Sequence, residues 1–201
     1  MTLNEVLKNT NYDVSLFSEE ACKYVEDAIV VKTIRGKEAL IIKCLKRDKE
    51  IALKPEEAVR QLYLYKLIHE YGYPTSRIEV EFPIHFGREV KRADIAIMDK
   101  DRLMVPYIIV ELKKPKLTDG KEQLKSYCNA TGAPIGVWTN GEQISYYNRK
   151  DPNYFEPITN IPKVSEKLSD IINEKFTYED LKKIDRISQQ KRSLRSLIQE
   201  M

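Results

Sequence analysis

Cysteine, glycine and long apolar runs are all scarce in this chain, and each shortage excludes a class of protein. Its three cysteines, Cys22, Cys44 and Cys128, are odd in number and far apart, which argues against a disulfide framework and a Cys-x-x-Cys metal site. The seven glycines form neither a Gly-x-Gly-x-x-Gly dinucleotide fingerprint nor a phosphate-binding loop for ATP. The apolar runs are far shorter than the roughly 20 residues of a membrane helix, and the first ten residues do not resemble a signal peptide. We therefore expect a reduced, cytoplasmic protein without a membrane segment.

A strong overall charge is also lacking. The chain has 34 Lys and Arg residues against 31 Asp and Glu residues, a formal net charge of +3. Basic residues nevertheless predominate between Lys32 and Lys54 and between Lys182 and Arg195. Such runs are typical of solvated protein surface as well as of nucleic-acid-binding faces, so composition leaves both interpretations open.

The hydrophobic pattern predicts an α/β protein with a mixed sheet. A helix from Pro55, whose first turn carries Glu56 and Glu57 and which ends at Gly72, has the clearest start and stop. The predicted helices cover residues 18–24, 55–71, 119–129, 164–173 and 178–201. The predicted strands cover residues 28–34, 39–45, 78–86, 92–98, 107–113, 135–138 and 145–148.

This pattern divides the chain into three stretches. Residues 1–54 are predicted to be an N-terminal helix and β-hairpin extension, and residues 55–150 the core. Residues 151–201 are predicted to be a linker and C-terminal helices, because residues 149–163 carry three prolines. Since the helical pattern continues to Met201 without a cap or breaker, we expect a further domain outside this chain.

Three charged residues stand out because they interrupt apolar strands. Asp94 lies within the apolar stretch 92–98, while Glu111 and Lys113 end the β-branched run that begins at Tyr107. A charge buried in a strand is costly unless it is paired or functional. Two carboxylates form an oxygen-only site that suits Mg²⁺, and Lys113, two residues after Glu111, projects from the same strand face. The spacing therefore predicts a phosphodiesterase-like metal site at one sheet edge.

The ordered motifs resemble those of the PD-(D/E)xK nuclease superfamily. The matching segments are Lys91-Arg92-Ala93-Asp94-Ile95-Ala96-Ile97, then Ile108-Ile109-Val110-Glu111-Leu112-Lys113-Lys114-Pro115, and then Gln123-Leu124-Lys125-Ser126-Tyr127. Together with the acidic helix at 55–61, they most resemble the N-terminal nuclease domain of type I restriction enzyme R subunits and of related fused restriction-methylation proteins. The resemblance covers roughly residues 55–148. Ala93 departs from the family pattern, which often has proline there.

The resemblance implies a restriction-endonuclease-like core with a central mixed β-sheet flanked by helices. It also implies a Mg²⁺-dependent endodeoxyribonuclease of a restriction-modification enzyme. Asp94, Glu111 and the Leu112 backbone carbonyl would hold Mg²⁺. Lys113 would position the attacking water. Glu57, or Glu56 in its place, would reach the metal through water.

The second part of the implied site is the helix that carries Gln123 and Tyr127. These residues, at i and i+4, would orient Lys113 or a DNA phosphate. The implied partners are DNA and methyltransferase and specificity subunits or domains. ATP would be used only by a motor domain outside this chain, and the resemblance leaves open whether nuclease activity requires such missing domains or subunits.

Other interpretations of these residues stay open. Glu57 also suits a helix-dipole role, Gln123 and Tyr127 also suit helix packing, and Asp94, Glu111 and Lys113 also suit turn-capping and strand-end charges. The fold is also compatible with a non-catalytic DNA-binding or subunit-assembly module, for which the basic stretch 182–195 is suited. A nuclease for RNA or branched DNA is a third possibility.

Overall fold

The computed structural model describes residues 3–7, 14, 16–113, 119–141, 143–152 and 154–173. Its helices are α1 (Leu3–Leu7), α2 (Glu19–Asp27), α3 (Pro55–Tyr65), α4 (Lys121–Thr131) and α5 (Leu168–Asn173). A π-helical turn (Lys66–Glu70) extends α3, and a 3-10 turn (Thr75–Arg77) precedes β4. The strands are β1 (Ile29–Ile34), β2 (Lys37–Lys43), β3 (Glu50–Ala52), β4 (Ile78–Phe86), β5 (Glu89–Met98), β6 (Pro106–Leu112), β7 (Ile135–Thr139), β8 (Ile144–Asp151) and β9 (Tyr154–Ile158).

A six-stranded sheet in the order β4-β5-β6-β7-β8-β9 forms the centre of the fold. All its neighbouring pairs are antiparallel except β6 and β7, which α4 connects and which run parallel. A parallel pair needs such a crossover connection. The antiparallel hairpin β1–β2, with β3 added, forms a separate three-stranded sheet. The predicted fold class, a mixed sheet flanked by helices, is confirmed.

The central sheet is covered on both faces. On one face, Ile95, Ile97, Ile108 and Val110 pack in a cluster with residues of α1, α2 and α3. On the other face, alternate residues of the same strands pack with Leu124, Tyr127 and Cys128 of α4. Because strand side chains alternate between faces, β6 and the second half of β5 are apolar on both sides, and any charge within them needs a partner. The two strands thus lie between α3 and α4, which contribute side chains to the site.

The helix starting at Pro55 has nearly the predicted length, but a different set of its residues is buried. Tyr65 and Ile68 fall on the apolar stripe that helical spacing in the sequence indicates, yet they are only half-buried, whereas Tyr63, Leu64 and Leu67 are fully buried. An isolated stripe underestimates burial here because α3 packs between the central sheet and α2. Pro83 lies in β4, one of the two edge strands of the central sheet, where a residue that cannot donate to a ladder is tolerated.

Three local predictions are wrong. The linker expected over 149–163 contains the end of β8 and all of β9, so this stretch is part of the sheet. Of the helix expected over 164–173, only α5 forms. The dipeptide Asn140-Gly141 predicts a type I′ turn but does not form one, because of these two residues only Gly141 has a positive φ. The helix predicted over 178–201 and the basic stretch 182–195 lie outside the described residues. The division into three stretches remains a prediction.

Among the helices of the described residues, none has both the length and the apolar content needed to cross a membrane.

Candidate active site

Asp94 is bound on both of its carboxylate oxygens. Its Oδ1 accepts a hydrogen bond from Arg60 Nη2 at 2.8 Å, and its Oδ2 accepts one from the backbone N–H of Leu112 at 2.8 Å. The second bond ties β5 to the end of β6, where Glu111 and Lys113 lie. The predicted convergence of the two strands at one site is therefore present in the structure.

Glu57 joins the site from the first turn of α3. The residue is 6% exposed, and its Oε2 pairs with Arg60 Nη1 at 2.6 Å. Its Oε1 accepts a hydrogen bond from Gln61 Nε2 at 2.7 Å, and Gln61 Oε1 accepts one from the Leu45 N–H. Glu57 thus faces the site through Arg60, and Gln61 fixes its orientation from below. A buried carboxylate with two such partners does more than complement a helix dipole.

Glu111 and Lys113, at the end of β6, form an ion pair on one face of the strand. Lys113 Nζ lies 2.8 Å from Glu111 Oε1, as their i, i+2 spacing predicts for one strand face. The other oxygen, Oε2, is buried and has no hydrogen-bond partner among the described residues. Burial and then the nearby charge of Asp94 raise the pKa of Glu111 to about 7, although Lys113 opposes this shift. Burial lowers the pKa of Lys113, but the hydrogen bond and charge of Glu111 outweigh it, and the net shift is upward.

Gln123 and Tyr127 extend this pair into α4. Lys113 Nζ donates to Gln123 Oε1 at 3.0 Å, and Gln123 Nε2 donates to the Tyr127 hydroxyl oxygen at 2.6 Å. The two residues lie one helical turn apart on the face that covers the sheet. The structure thus brings Gln123 directly, and Tyr127 through it, to Lys113.

The residues present fit a hard divalent cation. The described residues contain no cluster of three or more His, Cys, Asp or Glu side chains with metal-ligand geometry. Two carboxylates, a backbone carbonyl and water are nevertheless a ligand set that Mg²⁺ accepts. The unpartnered Oε2 of Glu111 and the mutual repulsion of Glu111 and Asp94 are both features that a cation would relieve. Beside them is a cavity of about 120 Å³ lined by Glu56, Val59, Arg60, Asp94, Leu112 and Lys113.

Sequence reasoning missed Arg60, Gln61 and Glu81. Arg60 and Gln61 lie three and four residues after Glu57, a spacing that places them on the same helix face and could have identified them. Glu81 contacts Arg60 across 3.7 Å, and its φ of 54° is unusual for a residue with a side chain. No local pattern marks Glu81, because the contact depends on how β4 packs beside α3.

Comparison with known proteins gives one family match. Residues 55–162 match the family model described as type I restriction enzyme R protein N terminus (HSDR_N), which spans just over half of the chain. The matched range runs from the start of α3 through β9 and includes every residue of the site described above.

Among solved structures, the chain is similar to a candidate nuclease of the DUF820 group from Anabaena variabilis. The identity is 18%, the match covers 90% of this chain and 97% of the other, and the TM-score is 0.39. No curated protein matches the sequence significantly.

Proposed function

Because the chain belongs to the type I restriction enzyme R protein N-terminal family, we propose that it hydrolyses DNA phosphodiester bonds as the Mg²⁺-dependent nuclease domain of a restriction-modification enzyme. The observation that carries the proposal is the meeting of Asp94, Glu111 and Lys113 at the β5–β6 junction. Two carboxylates and an ammonium beside a small cavity, which Asp94 and Lys113 line, are groups suited to metal-assisted phosphodiester hydrolysis.

Each group has a distinct task in this proposal. Asp94, Glu111 and the Leu112 carbonyl would hold Mg²⁺, which when bound stabilises charge on the phosphate and lowers the pKa of water. The Lys113 ammonium, bonded to Glu111, would orient the attacking water and stabilise the developing negative charge. Gln123 and Tyr127 would hold Lys113 in place.

A groove beside Lys113 supports a nucleic acid as the substrate. Between the β4–β5 hairpin and α4 lies a groove of about 630 Å³, lined by Phe86, Lys91, Arg92, Gln123, Ser126 and Tyr127. Lys91 Nζ lies 5.6 Å from the centre of the Phe86 ring, and this ring lies 6.0 Å from that of Tyr127. Exposed cations beside aromatic rings suit phosphates and bases respectively. Since Gln123 lines the groove and bonds Lys113, a strand in the groove would lead to the site.

The remaining features of the proposal concern partners. Methyltransferase and specificity subunits or domains would deliver the recognised DNA, and any ATP-driven motor would lie outside this chain. The cytoplasm, where the cell's DNA would meet such a complex, is the proposed location.

Nicking of supercoiled plasmid tests the proposal, with the chain assayed in Mg²⁺ and in EDTA. We expect cleavage in Mg²⁺ only, and a loss of at least about a hundredfold in Asp94→Asn, because the variant lacks the ligand charge. Asp99→Asn is the matched control. Asp99 directly follows β5, the strand that carries Asp94, but its Oδ1 accepts hydrogen bonds from the backbone N–H groups of the next loop. Equal cleavage by wild type and Asp94→Asn would falsify the proposed site.

A non-catalytic DNA-binding or assembly module is the second candidate. It is favoured by the ion pairs, because Arg60 and Lys113 already neutralise the acids that would hold a metal. This candidate predicts salt-sensitive DNA binding that is the same in Mg²⁺ and EDTA, with no nicking under either condition. Mg²⁺-dependent nicking that Asp94→Asn abolishes would rule it out.

A further inference from the structure

Arg60 lies among three carboxylates at the centre of the site. Its Nη1 is 2.6 Å from Glu57 Oε2 and 3.7 Å from Glu81 Oε1, while its Nη2 is 2.8 Å from Asp94 Oδ1. Its side chain is only 13% exposed, and its Nε is buried without a hydrogen-bond partner among the described residues. The guanidinium therefore supplies the positive charge that these acids need in the metal-free protein.

The same contacts place Arg60 in competition with a metal ion. Leu112 N–H occupies Asp94 Oδ2 and Arg60 Nη2 occupies Asp94 Oδ1, so both carboxylate oxygens are engaged. A cation that approaches Oδ1 meets a guanidinium of like charge, which is repulsive in a poorly solvated site. Arg60 also lines the cavity next to Asp94 and Lys113.

We propose that Arg60 is the built-in counter-ion of this site and that a divalent metal must displace it from Asp94 in order to bind. Glu57 and Glu81 stay within reach of the guanidinium and retain it after displacement. The inference rests on the proposed function, because it takes Asp94 as a metal ligand. Arg60 thereby weakens metal binding, and it balances the charge of the acids when no metal is bound.

A counter-ion role and a merely structural role for Arg60 predict opposite changes in metal affinity when the residue is replaced. In Arg60→Gln the acids lose their internal cation, so their repulsion increases and Mn²⁺ should bind about tenfold more tightly, roughly the effect of one lost charge-assisted contact. If Arg60 only held the acids in position, the variant would bind Mn²⁺ more weakly. Arg60→Lys keeps the charge but lacks the two guanidinium nitrogens that contact Asp94 and Glu57 at once. Its Mn²⁺ affinity should therefore rise above that of wild type by less than in Arg60→Gln.

The test measures free Mn²⁺ by electron paramagnetic resonance during titration of the whole chain at constant pH. Wild type, Arg60→Gln and Arg60→Lys are compared, each with and without Asp94→Asn. Arg47→Gln is the matched control, because Arg47 also contacts Glu81, at 3.6 Å, while neither Asp94 nor Glu57 is among its ion-pair partners. We expect tightening in Arg60→Gln that Asp94→Asn abolishes, and no change in Arg47→Gln.

The outcomes separate this inference from the proposed function. Wild-type binding that depends on Asp94, with equal or weaker binding in Arg60→Gln, overturns the inference and leaves the metal site intact. No Asp94-dependent Mn²⁺ binding in any variant overturns both. If Arg60→Gln does not fold, Arg60→Lys decides, and its failure to bind Mn²⁺ more tightly than wild type overturns the inference.

Discussion

At the scale of single residues, the site is an arrangement of buried charges. Asp94, Glu111 and Lys113 could be identified from the sequence because each interrupts an apolar strand where an unpaired charge is costly. Arg60, Gln61 and Glu81 could not be identified in the same way, because Arg and Gln are ordinary on a helix and Glu81 falls on the polar side of an alternating strand. Their roles depend on contacts between α3, β4 and β5.

Glu111 makes the stability of the metal-free protein depend on pH. Its pKa is raised from 4.5 to about 7, so between these values the folded state keeps a proton that the unfolded state has lost. The contribution of Glu111 to the free energy of unfolding should therefore fall as pH rises from 4.5 to 7 and then level off. We expect Glu111→Gln to unfold at higher urea than wild type at pH 8, by up to about 3 kcal/mol, with the difference shrinking towards pH 4.5.

Urea unfolding in EDTA at pH 5 and pH 8 provides the measurement. Glu122→Gln is the control, because the Glu122 side chain is 86% exposed and its ion-pair partner among the described residues is Lys125 at the surface. A gain from Glu111→Gln that does not grow between the two pH values contradicts the account.

At the scale of elements, local sequence patterns predicted the helices and strands that carry the site. Pro55 begins α3 as predicted, and Ser18 caps α2 through its side chain and Gly132 ends α4, residue types that are typical at these positions. β3 has only three residues, too short for a periodic pattern. β9 was missed because Pro157 is typical of loops, yet β9 is the edge strand opposite β4, where a missing N–H is tolerated.

The start of α4 is expected to control the position of Lys113. Gly120 has a φ of +90°, and an added Cβ would collide with the Lys113 side chain. Gly120→Ala should therefore destabilise the fold by more than about 1 kcal/mol and also reduce Mg²⁺-dependent cleavage at least about tenfold. Urea unfolding and plasmid nicking measure the two effects.

Gly132, at the other end of α4, offers the matched control. Its φ of +76° imposes a similar backbone cost, but an added Cβ has nothing within 4 Å among the described residues. Gly132→Ala should lose stability and keep its cleavage rate in conditions where it is folded. The same cleavage rate in both variants would show that Gly120 does not act through Lys113.

At the scale of the whole molecule, helices cover both faces of the central sheet. The site at the β5–β6 junction lies next to the groove beside α4. The mixed sheet could be predicted from the order of elements, since the helix between β6 and β7 is the kind of crossover connection that a parallel pair needs. The separate sheet of β1, β2 and β3 could not be predicted in this way, because the sequence pattern of a hairpin does not show which other strands the hairpin pairs with.

The groove predicts how DNA binding responds to salt. Replacing Lys91 and Arg92 together with glutamine removes two exposed cations, so the slope of log affinity against log salt should become shallower by up to roughly 2. Fluorescence anisotropy of labelled duplex DNA in EDTA measures the slope. Lys100→Gln with Arg102→Gln removes the same charge from the β5–β6 loop and should leave it nearly unchanged. Equal slopes for both pairs would argue against the groove.

The central claim is that Asp94 and Glu111 hold a divalent metal next to Lys113, and anomalous diffraction from crystals of this chain soaked in Mn²⁺ tests it most directly. The account predicts one strong anomalous peak bonded to a carboxylate oxygen of each acid, with Arg60 moved off Asp94 Oδ1. Occupied Mn²⁺ sites elsewhere, with Arg60 still bonded to Asp94 and no peak between the two acids, would contradict it.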